Sequence, residues 1–153
     1  MMRDHGLTLR LGLAASGALL ACNVTSALGA PAGMTISHAW VRYVAPGVPA
    51  AGYFTLNNNN DKPLTLDGAT SSACGHLALH ESEVQNGAAR MIMVQSVTVP
   101  SHGAVKFQPG GYHLMCMAPA AVVAPGNAVL VTLQFQDGSS LRSTFPVYGA
   151  KGK

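Results

Sequence analysis

From residue 33 onward the apolar residues never recur at the spacing of a helical face over more than a turn; they come in short alternating runs broken by turn residues. Met34–Arg42 sets Ile36, His38, Trp40 and Arg42 against Thr35, Ser37, Ala39 and Val41. Ala51–Leu56 and Pro63–Leu66 read as a hairpin around a polar Asn57–Lys62 turn. Leu77–His80, Met91–Val99, Ala104–Phe107, Tyr112–Met117, Ala128–Gln134 and Leu141–Val147 follow. Between them stand Asn86-Gly87, Pro100–Gly103, Pro109-Gly110-Gly111 and Asp137-Gly138, which supply the positive backbone angles that tight turns require. Seven to nine short strands so spaced predict an all-β Greek-key sandwich or barrel in one domain.

The start of the chain has a different character. Arg3 and Arg10 precede an apolar run from Leu11 to Ala21, and small residues continue to Ala32. A basic segment, about eleven apolar residues and a small-residue cleavage zone make residues 1–32 a secretory signal peptide. The run is shorter than the roughly 20 residues a membrane-spanning helix needs. Ala27-Leu28-Gly29 and Ala30-Pro31-Ala32 both fit a cleavage site, and Leu19-Leu20-Ala21-Cys22 fits a bacterial lipobox in which Cys22 would be lipidated. These alternatives stay open, and each exports the mature chain to the periplasm, with a membrane attachment only if Cys22 carries lipid. Residues 33–149 then form the domain and residues 150–153 a short tail.

Past Ala32, seven Lys and Arg face five Asp and Glu, which leaves +2. That balance lacks the dense basic face a nucleic-acid binder uses. No G-x-S-x-G or H-E-x-x-H motif is present, and no acid pair suggests shared catalysis, so an enzyme is not expected. In the exported domain only Cys74 and Cys116 remain, and they can pair in an oxidising compartment, although spacing does not decide it.

The chemistry concentrates between His80 and Met117. His80 is followed by ten residues and Met91, and twenty-one more lead to His113, with Met115 two places on. In a strand His113, Met115 and Met117 share one face while Tyr112, Leu114 and Cys116 share the other; Met91 and Met93 are likewise together. Imidazole and thioether donors are a soft set that selects Cu(I) over hard cations. A methionine stripe is more often core than ligand. With six His and seven Met in 153 residues, however, this spacing arises by chance on the order of 4 × 10⁻⁴ times per chain, which favours ligands. Met93 and Met117 are available to substitute for their neighbours. His38 and Trp40 read as structural, His76 and His102 as solvated, and Glu81 and Glu83 as an acidic rim.

The stretches HAWVR (His38–Arg42), PGVPAAGYFTLNN (Pro46–Asn58), LALHE (Leu77–Glu81), VTVPSHGAVKFQPGGYHLMCM, VTLQFQDG and the late FPV resemble the periplasmic copper chaperones called PCu(A)C. The family signature H-x10-M-x21-H-x-M is matched without a gap. The resemblance implies a cupredoxin-like β-barrel, Cu(I) held by His80, Met91, His113 and Met115, and delivery to the Cu(A) centre of cytochrome c oxidase, with Sco-type thioredoxin-like proteins as partners in its assembly. Two features depart from the pattern. Glu81-Ser82 stands where many members carry a further Met, and Gly149–Lys153 lacks the His- or Met-rich tail that adds a Cu(II) site in some. Copper storage or buffering, or a metal-free β-sandwich binding module, are the alternatives. A blue-copper electron carrier is disfavoured because no histidine follows Cys116.

Overall fold

The alternating runs fold as strands, and no helix forms among the described residues, which are 29–152 of this computed structural model. Cys22 and nearly all of the expected leader lie outside them. In chain order the strands are β1 Met34–Arg42, β2 Ala50–Asn58, β3 Leu64–Thr70, β4 Cys74–Gln85, β5 Ala88–Met93, β6 Val97–Val99, β7 Gly103–Phe107, β8 Tyr112–Pro119, β9 Ala128–Phe135 and β10 Ser140–Tyr148. Hydrogen bonding runs in the order β5-β4-β8-β7-β2-β1-β10-β9-β3-β6, and β2 also pairs with β8. The all-β single domain expected from the alternation is what forms.

One buried cluster joins the strands. Phe54 of β2 stacks on Phe107 of β7 with ring centroids 4.2 Å apart and meets Phe145 of β10 edge-on at 5.5 Å. Leu56, Leu66, Leu114, Leu133 and Val99 are fully buried around them. Each such side chain contributes about 1.5–3 kcal/mol relative to exposure. Cys74 and Cys116 form a disulfide that ties β4 to β8 from the core side, deciding a pairing the spacing left open.

Three local expectations are corrected. First, β2 and β3 are not a hairpin: β2 pairs with β1, β7 and β8, whereas β3 pairs with β6 and β9. Asn58, 1% exposed, is the reason. Its amide donates to the carbonyls of Lys62 (2.9 Å) and Val99 (3.2 Å) and accepts from the Asn60 N–H (3.0 Å), so the polar turn is knotted across the core and sends the chain to the far side. Second, Met91–Val99 is not one strand. β5 stays on β4, Val94 N–H still donates to Leu79 (3.0 Å), and Val97–Val99 then crosses to β3, where Val97 and Val99 become buried. Burial of the two valines outweighs the alternation that runs through Gln95-Ser96.

Third, β1 carries a bulge. His38 adopts φ 55°, and the register against β2 slips by one residue between Ser37 and Trp40. An extra residue in one strand exchanges the faces beyond it. Ile36, opposite Leu56, and Val41, opposite Gly52, therefore both pack on the core, while Trp40 and Arg42 turn to the outer face beside Tyr53 and Ala51. Simple alternation had put Ile36 with Trp40 and Arg42. The Asn86-Gly87 turn forms as expected: Asn86 (φ 54°) and Gly87 (φ 79°) close the β4–β5 hairpin as a primed turn.

Candidate metal centre

Three strands build one face. In the β4–β8 ladder His80 lies directly opposite His113, and in the β4–β5 ladder His80 lies directly opposite Met93. Met93, His80 and His113 therefore form a row across the sheet. Met91 is opposite Ser82, one row away, and Met115 is opposite Ala78, one row away on the other side. Directly opposed side chains have Cβ atoms about 4.5–5.5 Å apart and diagonal ones about 7–8 Å, within reach of a long thioether. All four expected residues are brought to this face. The register also shows what spacing concealed: Met93, not Met91, is the immediate neighbour of His80.

The face grades from buried to exposed. His113 is 3% exposed, His80 and Met115 are half-buried, and Met91 and Met93 are each 61% exposed. Both methionines of β5 thus sit in solvent, where a core gap-filler would not be placed. Ala78 and Ala51 flank Met115 on its two sides as a floor of methyl groups.

The imidazoles are oriented for ligation. Nδ1 of His113 lies 3.0 Å from the Gly111 carbonyl, and Nδ1 of His80 lies 3.5 Å from that of Ala78. A carbonyl only accepts, so Nδ1 carries the proton and the Nε2 lone pair is left for a metal. Among the described residues no buried side-chain N or O lacks a hydrogen-bond partner. Nε2 of His113 makes no such bond, so it is the atom of this buried ring that still meets solvent. The two rings stack at 5.9 Å with 25° between planes. Burial, opposed in part by the Gly111 hydrogen bond and assisted by the charges of His80 and Arg42, holds the His113 pKa below the usual imidazole value. The ring is accordingly neutral, as a ligand must be.

An aromatic row backs the histidines. Tyr53, buried, lies 6.4 Å from His113 and 4.9 Å from Trp40, and the Arg42 guanidinium sits 5.5 Å above the Tyr53 ring. Burial raises the Tyr53 pKa against the opposing effect of Arg42, so its hydroxyl stays protonated. These residues lie 27 or more positions before His80 and gave no sign in the sequence of belonging to the site; the β1 bulge and the β2–β8 pairing bring them there.

The remaining residues stand apart. His102 pairs with Asp61 at 2.8 Å on the surface, and His38 occupies the bulge. Glu81 is half-buried, Glu83 is exposed, and neither bonds a histidine among the described residues. Cys116 points to the core, opposite in sense to Met115, and is sealed in the disulfide. Among the described residues no three His, Cys, Asp or Glu side chains gather at one point. The other soft side-chain donors on this face are the methionine sulfurs beside the two histidines.

Comparison with known proteins places this geometry. Residues 34–147 match the family described as "Putative lipoprotein LpqE-like". The chain is 36% identical to "Putative lipoprotein Lxx21020" of Leifsonia xyli subsp. xyli, over 78% of this chain and 72% of that protein. Among solved structures it resembles the Cu(I) form of DR1885 from Deinococcus radiodurans, with 31% identity, 77% and 79% coverage and a TM-score of 0.61. The copper-bound PCuAC domain of PmoF2 superposes with a TM-score of 0.64 over 76% of this chain and 93% of that domain, at 22% identity.

Proposed function

The chain belongs to the LpqE-like family and has the fold of PCuAC domains, and on that premise we propose that it is a copper(I) carrier of the cell envelope, binding one ion tightly through His80, Met91, His113 and Met115. The observation that carries this reading is the solvent-exposed thioether pair of β5 beside His80, which itself stands opposite His113, with the Nε2 atoms of both histidines free. Exposed methionine gains little from burial, whereas as a soft donor beside imidazole it suits Cu(I). The donor set is neutral and Arg42 adds a fixed positive charge nearby, which repels a divalent ion about twice as strongly as a monovalent one. Thioethers also avoid the disulfide formation that would consume free thiols in an oxidising compartment. In copper-bound and Cu(I) forms, the relatives PmoF2 and DR1885 support the same cargo.

The role is carriage rather than catalysis. Among the described residues no acid–base pair faces the histidines, and the metal would lie at the rim, where a partner can reach it. Delivery proceeds by ligand exchange: thiolates of the recipient displace the thioethers one at a time, with no change in copper oxidation state. The recipients proposed are the Cu(A) domain of cytochrome c oxidase and Sco-type assembly proteins, and the compartment is the periplasm. The test of cargo is anaerobic Cu(I) titration against a chromophoric chelator, with X-ray absorption on the loaded protein. Nitrogen and sulfur neighbours are expected; oxygen donors alone, or full affinity in His113→Ala, would overturn it. The test of delivery is to mix Cu(I)-loaded protein with a reduced, copper-free Cu(A) domain and follow the metal after separation. Copper that stays put while the acceptor binds Cu(I) from solution would leave buffering as the better reading.

A further inference from the structure

We propose that His76 and Met117 form a second, weaker Cu(I) site, through which the ion is loaded onto and released from the His80–His113 centre. The inference rests on the copper reading above, but it arises from residues outside that ligand set.

In the β4–β8 ladder His76 is directly opposite Met117, just as His80 is opposite His113. The pairs His80–His113, Ala78–Met115 and His76–Met117 follow one another at two-residue steps, so all lie on the same face. Both members of the outer pair are open to solvent, Met117 at 42%. The His76 ring makes no hydrogen bond or ion pair among the described residues. Cross-strand opposition sets the two Cβ atoms about 4.5–5.5 Å apart, a spacing from which an imidazole and a thioether can converge on one ion. The strands cannot splay there. Cys74 is two residues before His76, Cys116 immediately precedes Met117, and the disulfide joins them.

The intervening row makes a passage. Ala78 offers only a methyl group between His76 and His80, so no bulky β4 side chain separates the two pairs on this face. Met115 stands between Met117 and His113 on the same face of β8 and is within reach of either pair. An ion at His76–Met117 can therefore recruit Met115, then His113 and His80, exchanging one donor per step and never entering bulk water. Two donors hold it less firmly than four, which suits a point of arrival and departure.

The experiment uses the exported domain and Ag(I) or anaerobic Cu(I) as the probe, with methionine methyl NMR to assign each step. Wild type is expected to show a tight first equivalent that moves the Met115 signal and a weaker second that moves the Met117 signal. His76→Ala/Met117→Leu should lose the second equivalent and keep the first. His80→Ala/His113→Ala should lose the first and keep the second. Saturation of wild type at one equivalent, or a second step that survives His76→Ala/Met117→Leu, would overturn the proposal. Retention of the tight step in His80→Ala/His113→Ala would instead refute the assignment of the main centre, leaving the second step to be judged by its own variant. All four substituted side chains reach solvent or the outer face, and far-ultraviolet circular dichroism confirms that each variant is folded.

Discussion

At His113 a single ring carries three properties that a ligand needs: a free Nε2, a fixed Nδ1 proton and a depressed pKa. The sign of the pH effect follows. Because the folded pKa lies below the unfolded value, the unfolded chain takes up the proton first as pH falls. The stability associated with neutral His113 is complete above about pH 6.5, declines as pH drops below that unfolded value and is fully lost below the folded pKa. Denaturant melts across that range should show this loss in wild type and a flatter profile in His113→Gln. Copper affinity should also fall on acidification, as protons compete for Nε2. An affinity flat down to about pH 4 would remove the histidines from the site. For the methionines, Met91→Leu and Met93→Leu should each weaken Cu(I) binding modestly, since one can stand in for the other, and the double variant should weaken it more than the two effects combined. Chelator competition measures all three; strict additivity would mean that the two methionines do not stand in for one another.

Among the elements, the β4–β5 hairpin holds half of the sulfur donors. Its primed turn needs positive φ at both Asn86 and Gly87, and Gly87 meets that need without a Cβ. Gly87→Val should cost about 1–2 kcal/mol locally, quicken amide exchange along β5 and lower Cu(I) affinity while both histidines remain. Unchanged affinity in a variant with faster β5 exchange would show that this strand does not contribute donors. The disulfide acts on the other side of the site. It closes a separation of 42 residues, worth about 4 kcal/mol in the chain-entropy model. Cys74→Ala/Cys116→Ala should therefore unfold at markedly lower urea, and reduction of the disulfide should lower the midpoint in the same way.

For the molecule as a whole, the sheet arranges a continuous row of rings from its edge to its middle: His80, His113, Tyr53 and Trp40. Trp40 is the sole tryptophan. Its emission should change when Cu(I) or Ag(I) occupies the main centre, because ordering His113 also orders the Tyr53 ring against which Trp40 packs. The change should saturate with the tight equivalent and vanish in His80→Ala/His113→Ala. A silent Trp40 at full occupancy would show that the aromatic row only braces the sheet. Deleting Ala39 removes the extra residue of the β1 bulge but leaves Trp40 opposite Tyr53, so the regularised strand should keep the signal.

What the sequence determined by itself was local: the period of two, the Asn86-Gly87 turn, the soft character of the donors and their order along the chain. Each of these is a property of a few adjacent residues and survives whatever the strands later pair with. Only the tertiary structure decided which donors are neighbours. His80 and His113 meet because β4 and β8 align in one register, and the β4–β5 register puts Met93 rather than Met91 beside His80. The false hairpin at Asn57–Lys62 and the exchange of faces in β1 have the same origin. A buried Asn58 amide and one extra residue at His38 redirect long stretches of chain at little local cost. The disulfide, the burial of His113 and the approach of Tyr53 and Arg42 likewise depend on separations through space. Alternation along a strand specifies a face, but cross-strand register, set by the fit of the whole core, selects the partner.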